Sequence, residues 1–439
     1  MTHFLSSHSA PSDLRGYSTV VCILDVPRFG GAELATLLLV KHGIRFLEDK
    51  GIAVIIFCDN NILSKAISIL RNELNRYDNL KVVGLSMKIA RLNPYAFIKS
   101  IIRKYLPKAV WLPRYFIKYA FVFKSIKPES KILAHVHDNI IVCPIATAYN
   151  VLHHNICSPL LRSVRECAKC IYSTERLNTK PLSYSIMSAL INSLFTPKFL
   201  AVNSTVIDVL IVASKSHASY ICTFWPNLCK KTYTLYNPLP SDINAREYFE
   251  MSDEPSLVYV GGDYLIKGVP LIKWLLKELV KNKRRVTIYT NAQSIPRLFN
   301  SFRNTPLKIV SLRERLDRTS VLSLIRSSWI VLDPFMGYAN TASYVSLEAA
   351  LSGTNIVIPD VGEYKEIFGD FGCSKMIMYR HNDPIDFTDK VLQLLNLGKD
   401  GLFGLGAKLR RYILKKYPSN DVIGLKFSKI VEKVLEKNV

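Results

Sequence analysis

The sequence predicts an α/β protein built from two Rossmann-like domains in tandem. Three observations carry that prediction. A short β-branched run at 20–26 (VVCILDV) leads through the pair Gly30 and Gly31 into a helical pattern and then a second strand at 53–58. That order is a strand–helix–strand unit of the doubly wound kind. A second α/β series begins at 257, behind a stretch rich in proline and acid. Finally, 439 residues exceed one ordinary core, since domains commonly run to roughly 100–200 residues.

In the first series, Leu34, Leu37, Leu38, Ile44 and Leu47 recur near helical spacing, and Gly51 closes the helix. Further strands are expected at 132–136, 199–202 and 210–213. Between 236 and 255 the chain carries Pro238, Pro240 and Pro255 with Asp242, Glu247, Glu250, Asp253 and Glu254, which marks a domain boundary. The second series predicts strands at 257–260, 286–289, 309–310, 329–332 and 356–358, with helices at 269–282 and 319–326. The tail from 400 onward is helical and basic. The expected domains are 18–240, with a cysteine-rich insertion at about 143–170; 253–405; and a helical tail, 406–439, packing back on the first domain.

A composition of 49% hydrophobic and 21% charged residues excludes a disordered or collagen-like chain. Against 35 acidic residues stand 58 Lys and Arg, a net charge of +23 that favours anionic partners. Nine cysteines are too few for a disulfide scaffold. Residues 1–17 lack the apolar core of a signal peptide. Mean hydropathy is +0.14, yet the best apolar stretch, 186–212, is broken by Asn192, Pro197, Lys198, Asn203 and Asp208. The expectation is a cytoplasmic chain with mostly reduced thiols, peripheral on the inner membrane face rather than spanning it.

Three segments could carry chemistry. In Arg28-Phe29-Gly30-Gly31-Ala32-Glu33, glycines between a strand and a helix would let backbone N–H groups approach an anion; a plain tight turn has the same pattern. In Tyr259-Val260-Gly261-Gly262-Asp263-Tyr264-Leu265-Ile266-Lys267-Gly268, a strand runs into a Gly pair, and Lys267 stands where an ammonium could neutralise a diphosphate, or simply be solvated. The third runs from the strand at 329 through the loop FMGYANTASYVS to Glu348 and then Gly362 and Glu366. It falls at the carboxyl end of a strand, where open α/β sheets bind ligands. Glu348, expected in the first turn of a helix, could hold ribose hydroxyls or merely complement the helix dipole.

Together these segments, with Tyr236-Asn237-Pro238 before the linker, resemble the GT-B glycosyltransferases, specifically the retaining family 4, over residues 18–435. The resemblance implies a GT-B fold, two Rossmann-like domains facing an interdomain cleft. It implies a hexosyltransferase-type enzyme that moves a sugar from a nucleotide-diphosphate donor to a saccharide or lipid-linked acceptor, with retention, in glycan or glycoconjugate biosynthesis. It places the donor on Gly30, Gly31, Gly261, Gly262, Lys267, Thr341, Ala342, Ser343, Tyr344 and Glu348. His137, of the His137-Asp138 pair, would lie near the transferred sugar, with His135 an alternative. His137, Asn340 and Glu348 are the candidate catalytic residues.

The sequence also departs from the family. Gly262 stands where the family has a diphosphate-binding arginine, and Asn340 where it has the first glutamate of its pair. These departures leave open a catalytically degraded GT-B protein that binds a glycan or a partner enzyme without transfer. Cys143, Cys157, Cys167 and Cys170 resemble a cysteine insertion of some family members and could form a structural zinc site. No catalytic metal is required, because helix dipoles and cations can stabilise the leaving diphosphate. Finally, 88–131 interleaves many Lys and Arg with aromatics and a single acid, Glu129. That pattern suits an anionic membrane surface. It also suits nucleic acid, although no nucleic-acid-binding motif supports that partner and none is expected.

Overall fold

The computed structural model describes residues 17–24, 29–86, 90, 92–158, 163–178, 180–194, 196–240, 251–299, 305–312, 318–339 and 341–436. The chain divides into two compact units. The first comprises 1–146, 191–240 and 418–439, and the second comprises 147–190 and 241–417.

The first unit opens with β1 (Ser18–Leu24), α1 (Gly31–Glu48), β2 (Ile52–Asp59), α2 (Asn60–Arg76) and β3 (Leu80–Leu85). It continues with α3 (Pro94–Tyr105), β4 (Ala109–Leu112), α4 (Ala120–Ile126) and β5 (Lys131–Val136). Next come β6 (Tyr149–Asn150), β7 (Asn155–Ile156), α5 (Val164–Leu177) and α6 (Leu182–Leu194). The first unit then resumes with α7 (Thr196–Val206), β8 (Val209–Val212), α8 (Lys215–Phe224) and β9 (Thr232–Thr234). Its seven strands pair in parallel in the order β3-β2-β1-β4-β5-β8-β9. β2 is buried along its whole length, as a parallel strand covered on both faces requires. The polar ends are tied locally: Asp59 accepts from Asn61 N at 3.0 Å and Asn93 from Ala96 N at 3.1 Å, so each caps its helix. Cys222 and Cys229 are joined as a disulfide.

The second unit carries β10 (Ser256–Tyr259), α9 (Val269–Lys281), β11 (Val286–Thr290), α10 (Ser294–Phe299) and β12 (Leu307–Ser311). It continues through α11 (Arg318–Ser327), β13 (Ile330–Leu332), α12 (Tyr344–Ser352), β14 (Asn355–Pro359) and α13 (Gly362–Phe368). It closes with α14 (Ser374–Ile377), β15 (Met378–Tyr379), α15 (Pro384–Asn396) and α16 (Gly398–Lys416), and α17 (Asn420–Glu436) follows. Its sheet is also parallel, in the order β12-β11-β10-β13-β14-β15.

Two observed boundaries differ from the expected ones. Residues 147–190, including three of the four insertion cysteines, group with the second unit. The tail is divided: α16 belongs to the second unit and α17 to the first. α17 lies close on α1, where a Cβ on Gly424 would stand 2.2 Å from the His42 carbonyl oxygen, and the Phe427 ring packs at a tilt with its centroid 4.8 Å from that of Trp111. The run at 199–202 is helix, inside α7, rather than strand. A four-residue apolar run does not separate the two states. The Thr196-Pro197 start, with proline in the first turn, is the signal that decides it.

Candidate functional site

In each sheet the order of strands reverses at one point. In the second unit β10 connects outward through β11 to β12, and the chain then crosses to β13 on the other flank. The carboxyl ends of β10 and β13 therefore form a switch-point crevice, where open α/β sheets bind ligands. Every second-unit donor candidate that the structure describes lies on the loops that follow these strands or on the helix they lead into.

The loop after β10 is held closed from several sides. The Tyr259 hydroxyl donates to the carbonyls of Gly262 (2.9 Å) and Lys267 (3.1 Å). Gly262 N donates to Asn291 Oδ1 at 2.9 Å, and Asp263 accepts from Gln293 N and Ser294 N. Gly262 has φ +69°, a left-handed conformation that disfavours a side chain. That accounts for glycine where the family pattern has arginine. Gly268, at φ +81°, admits no Cβ at all, since one would stand 1.7 Å from the Pro334 carbonyl oxygen. The β10 and β13 loops are thus in direct contact, and Met336 N donates to Ile266 O at 3.0 Å. Lys267, half-buried, lies with Nζ 5.1 Å above the Phe335 ring.

The β13 loop leads to the amino end of α12. Ser343 is its N-cap, accepting from Ser346 N at 3.1 Å. Buried Asp333, directly after β13, organises this end. Its Oδ2 accepts from the hydroxyls of Ser343, Ser346 (2.6 Å) and Tyr364. Ala342 N donates to Glu363 Oε2 at 3.0 Å. Burial holds the Glu363 carboxyl well above the usual carboxylate range, against the opposing pull of that N–H. Thr341 is half-buried, with its hydroxyl donating to the Ala342 carbonyl at 3.2 Å, and burial pushes the Tyr344 phenol up. Asn340 lies outside the described residues. Glu366 is half-buried on α13.

Glu348 is buried in the second turn of α12, not the first, because the helix starts at Tyr344. Its Oε1 accepts from Arg318 Nη2 at 2.5 Å. Arg318 opens α11, which follows β12, so its guanidinium reaches the carboxyl-end side of the sheet. Asp333, Glu363 and Arg318 were not legible as site residues. Their partners lie 10 to 31 residues away in sequence, beyond any local pattern.

In the first unit the switch point falls between β1 and β4. A shallow, open recess lies there, lined by Leu24, Ala32, Glu33, Thr36, Pro113 and Arg114. Gly30 caps α1, and its N–H donates to Glu33 Oε2 at 2.9 Å. The anion at this helix start is thus the chain's own carboxylate. Gly31 is the first residue of α1 and is exposed. Arg114 bridges Glu33 (3.0 Å) and Asp138 (3.4 Å) across the mouth.

His137 stands behind Thr36 rather than on the recess wall. Thr36 Oγ1 donates to Ala32 O at 3.0 Å, so the 3.2 Å contact with His137 is a donation from Nε2–H, leaving Nδ1 as the acceptor nitrogen. The His135 ring is 4.0 Å from that of His137. Burial, then His135, Arg114 and His217, holds the His137 pKa well below its ordinary value. Burial alone lowers His135 and His217 to about 3.

Of the insertion cysteines, Cys143 belongs to the first unit and the other three to the second. Cys170 Sγ donates to the Tyr149 carbonyl at 3.6 Å and Cys157 Sγ to that of Ser158 at 3.9 Å. Among the described residues no three His, Cys, Asp or Glu side chains are placed to hold a metal ion. In the 88–131 region, Phe97, Trp111, Phe116 and Phe123 are core residues, while Tyr95 and Phe121 are exposed. Those four serve packing. Among the described residues no helix is long and apolar enough to cross a membrane.

No protein-family model and no curated protein matches the sequence. Solved structures do match. HepE of Anabaena in complex with UDP-glucose has 12% identity and a TM-score of 0.59, over 94% of this chain and 99% of its own. A glycosyltransferase from Rickettsia africae gives 12% and 0.60, over 96% and 100%. The catalytic domain of starch synthase IV from Arabidopsis thaliana, bound to ADP and acarbose, gives 11% and 0.57, over 96% and 100%. The chain has the GT-B fold. At such identities the likeness concerns the fold, and the chemistry rests on the residues of this chain.

Proposed function

We propose that this protein is a glycosyltransferase that moves a sugar from a nucleoside-diphosphate donor to a saccharide or lipid-linked acceptor, with retention. One observation carries the reading. At the switch point of the second unit, the Gly261–Lys267 loop, the amino end of α12 and the Arg318–Glu348 pair meet around the carboxyl ends of the strands. A diphosphate there meets one ammonium and the first-turn N–H groups of a helix. Fixed positive charge of that kind stabilises a leaving diphosphate without a resident metal. Arg318 supplies the guanidinium that the sequence lacks at Gly262, and Glu348, oriented by it, is the acceptor for ribose hydroxyls. In the first unit, Glu33, Arg114 and Thr36 line the shallow recess beside which the acceptor would approach, and His137 acts through Thr36. The proteins of like fold that were solved with UDP-glucose or with ADP and acarbose support the donor class.

The test is turnover. Sugar conjugates of UDP, GDP, ADP and TDP are incubated with the protein, and released nucleoside diphosphate is measured, with the product anomer read by NMR. One conjugate should turn over, with retained configuration, and Lys267→Ala should lower the rate at least a hundredfold. A folded protein that binds a nucleotide and never releases product would be the non-catalytic alternative that Gly262 and Asn340 leave open. Inverted product would remove the retaining assignment.

A further inference from the structure

Helix α6 (Leu182–Leu194) is turned inside out. Its outward side chains are Leu182, Tyr184, Ile186, Met187, Leu190 and Ile191, each between 45% and 57% exposed. Its buried positions are the small and polar ones: Ser185, Ser188, Ala189 and Ser193, none more than 9% exposed. The Ser185 hydroxyl donates to Pro181 O at 3.0 Å and that of Ser188 to Glu175 Oε1 at 3.3 Å. A helix on a water-facing surface shows the opposite arrangement, with its apolar stripe against the core. No Asp, Glu, Lys, Arg or His occurs between Lys180 and Lys198. Sequence reading weighed the overlapping run 186–212 only as a spanning helix, which its polar residues and proline break.

We infer that α6 inserts its apolar face into the interface of an anionic lipid bilayer. Three features select lipid over other occupants. The first is charge. The neighbouring segment 163–180 presents Arg165, Lys169, Arg176 and Lys180 against Glu166 and Glu175, and the chain as a whole carries +23. That balance attracts an anionic surface and repels a second copy of the same chain. The second is size. Six side chains about half exposed offer roughly 600 Å², short of the ~800 Å² per partner of a standard protein interface, but ample for a helix lying in the headgroup region. The third is the arrangement at the helix start, where Lys180 Nζ lies 5.8 Å from the Tyr184 ring centroid. An aromatic ring with a cation over its face suits the boundary between acyl chains and headgroups.

This assignment moves membrane contact from the 88–131 region, where Phe97, Trp111, Phe116 and Phe123 are core, to α6. It stands independently of the sugar-transfer reading and bears on it, because a lipid-docked enzyme has direct access to a lipid-linked acceptor.

The experiment is vesicle flotation of the full-length protein with phosphatidylcholine alone and with about 30 mol % phosphatidylglycerol. The wild type should float with the anionic vesicles. The Ile186→Glu, Met187→Glu double variant should lose partitioning at least tenfold with an unchanged melting temperature, while Leu92→Glu, in the 88–131 region, should keep it. In a second measurement, Met187→Trp should show blue-shifted emission quenched by lipids brominated on the acyl chain. A wild type that stays with neither vesicle overturns the inference. So does a double variant that still floats, or a wild-type dimer that the double variant converts to monomer.

Discussion

Replacing Asp333 by asparagine should loosen the amino end of α12 specifically. Three hydroxyls converge on one carboxylate oxygen, those of Ser343, Ser346 and Tyr364. A hydrogen bond to a charged acceptor contributes about 1.5–3 kcal/mol, against about 0.5–1.5 for a neutral one. Asparagine keeps the shape and one carbonyl oxygen but removes the charge. The loss is therefore about 1 kcal/mol per bond, or about 3 kcal/mol in all, a substantial part of the ~5–15 kcal/mol that holds a typical domain. Urea unfolding measures the total, and hydrogen exchange at 341–346 locates it. Tyr364→Phe, which deletes one of the three donors, should cost about a third as much and raise exchange in the same place. A total below about 1 kcal/mol, or protection lost evenly over the second unit, would refute the idea that Asp333 organises this loop.

Three further outcomes follow from other parts of the structure. His135, His137 and His217 are held neutral in the first unit, and each has a lower pKa folded than unfolded. The unfolded chain therefore binds more protons below about pH 6.5, so stability is full above that value and falls as pH drops toward the folded pKa values, by roughly 2 kcal/mol per histidine between pH 7 and pH 5. Urea midpoints that stay flat over that window would contradict the assigned burial. Gly262→Arg should fail to restore the arginine of the family pattern and should instead cost about 1–2 kcal/mol, because the position is left-handed; a thermal scan showing no loss would count against this backbone conformation. Arg318→Ala should weaken donor binding and destabilise the protein by about 1–3 kcal/mol by removing the guanidinium that pairs with the buried Glu348 carboxylate, and Arg318→Ala with Glu348→Gln should recover stability but not donor binding.

The fold was legible because its signals are local. Parallel strands such as 20–24 and 356–358 are continuous apolar runs buried on both faces, and glycine pairs follow β1 and β10 where the chain must turn at once into a helix. The short strands β4 (AVWL) and β9 (TYT) carry too few residues to stand out, and β3 (LKVVGL) is broken by Lys81 and Gly84. In the candidate site, Gly261, Gly262, Lys267 and the 341–344 turn were visible as motif. What pins them was not. Asp333 follows a strand like any other polar residue, and only folding brings Ser343, Ser346 and Tyr364 onto it. The Glu33 motif was read as a glycine loop for a ligand's phosphate, whereas the glutamate itself occupies the Gly30 N–H. That Phe97, Trp111, Phe116 and Phe123 of 88–131 are core was not legible, because periodicity alone does not say which side of an element is covered. The apolar side of α6 was overlooked for the same reason.

The central claim is that the second unit holds a nucleoside diphosphate at its switch point, and thermal stability against UDP, GDP, ADP and TDP tests it most directly. A ligand at about a hundred times its dissociation constant adds about 2.7 kcal/mol. The account predicts stabilisation by one of the four nucleotides, lost in Lys267→Ala and kept in Ile186→Glu, Met187→Glu. A folded protein that no nucleotide stabilises, or one stabilised equally with and without Lys267, would contradict it.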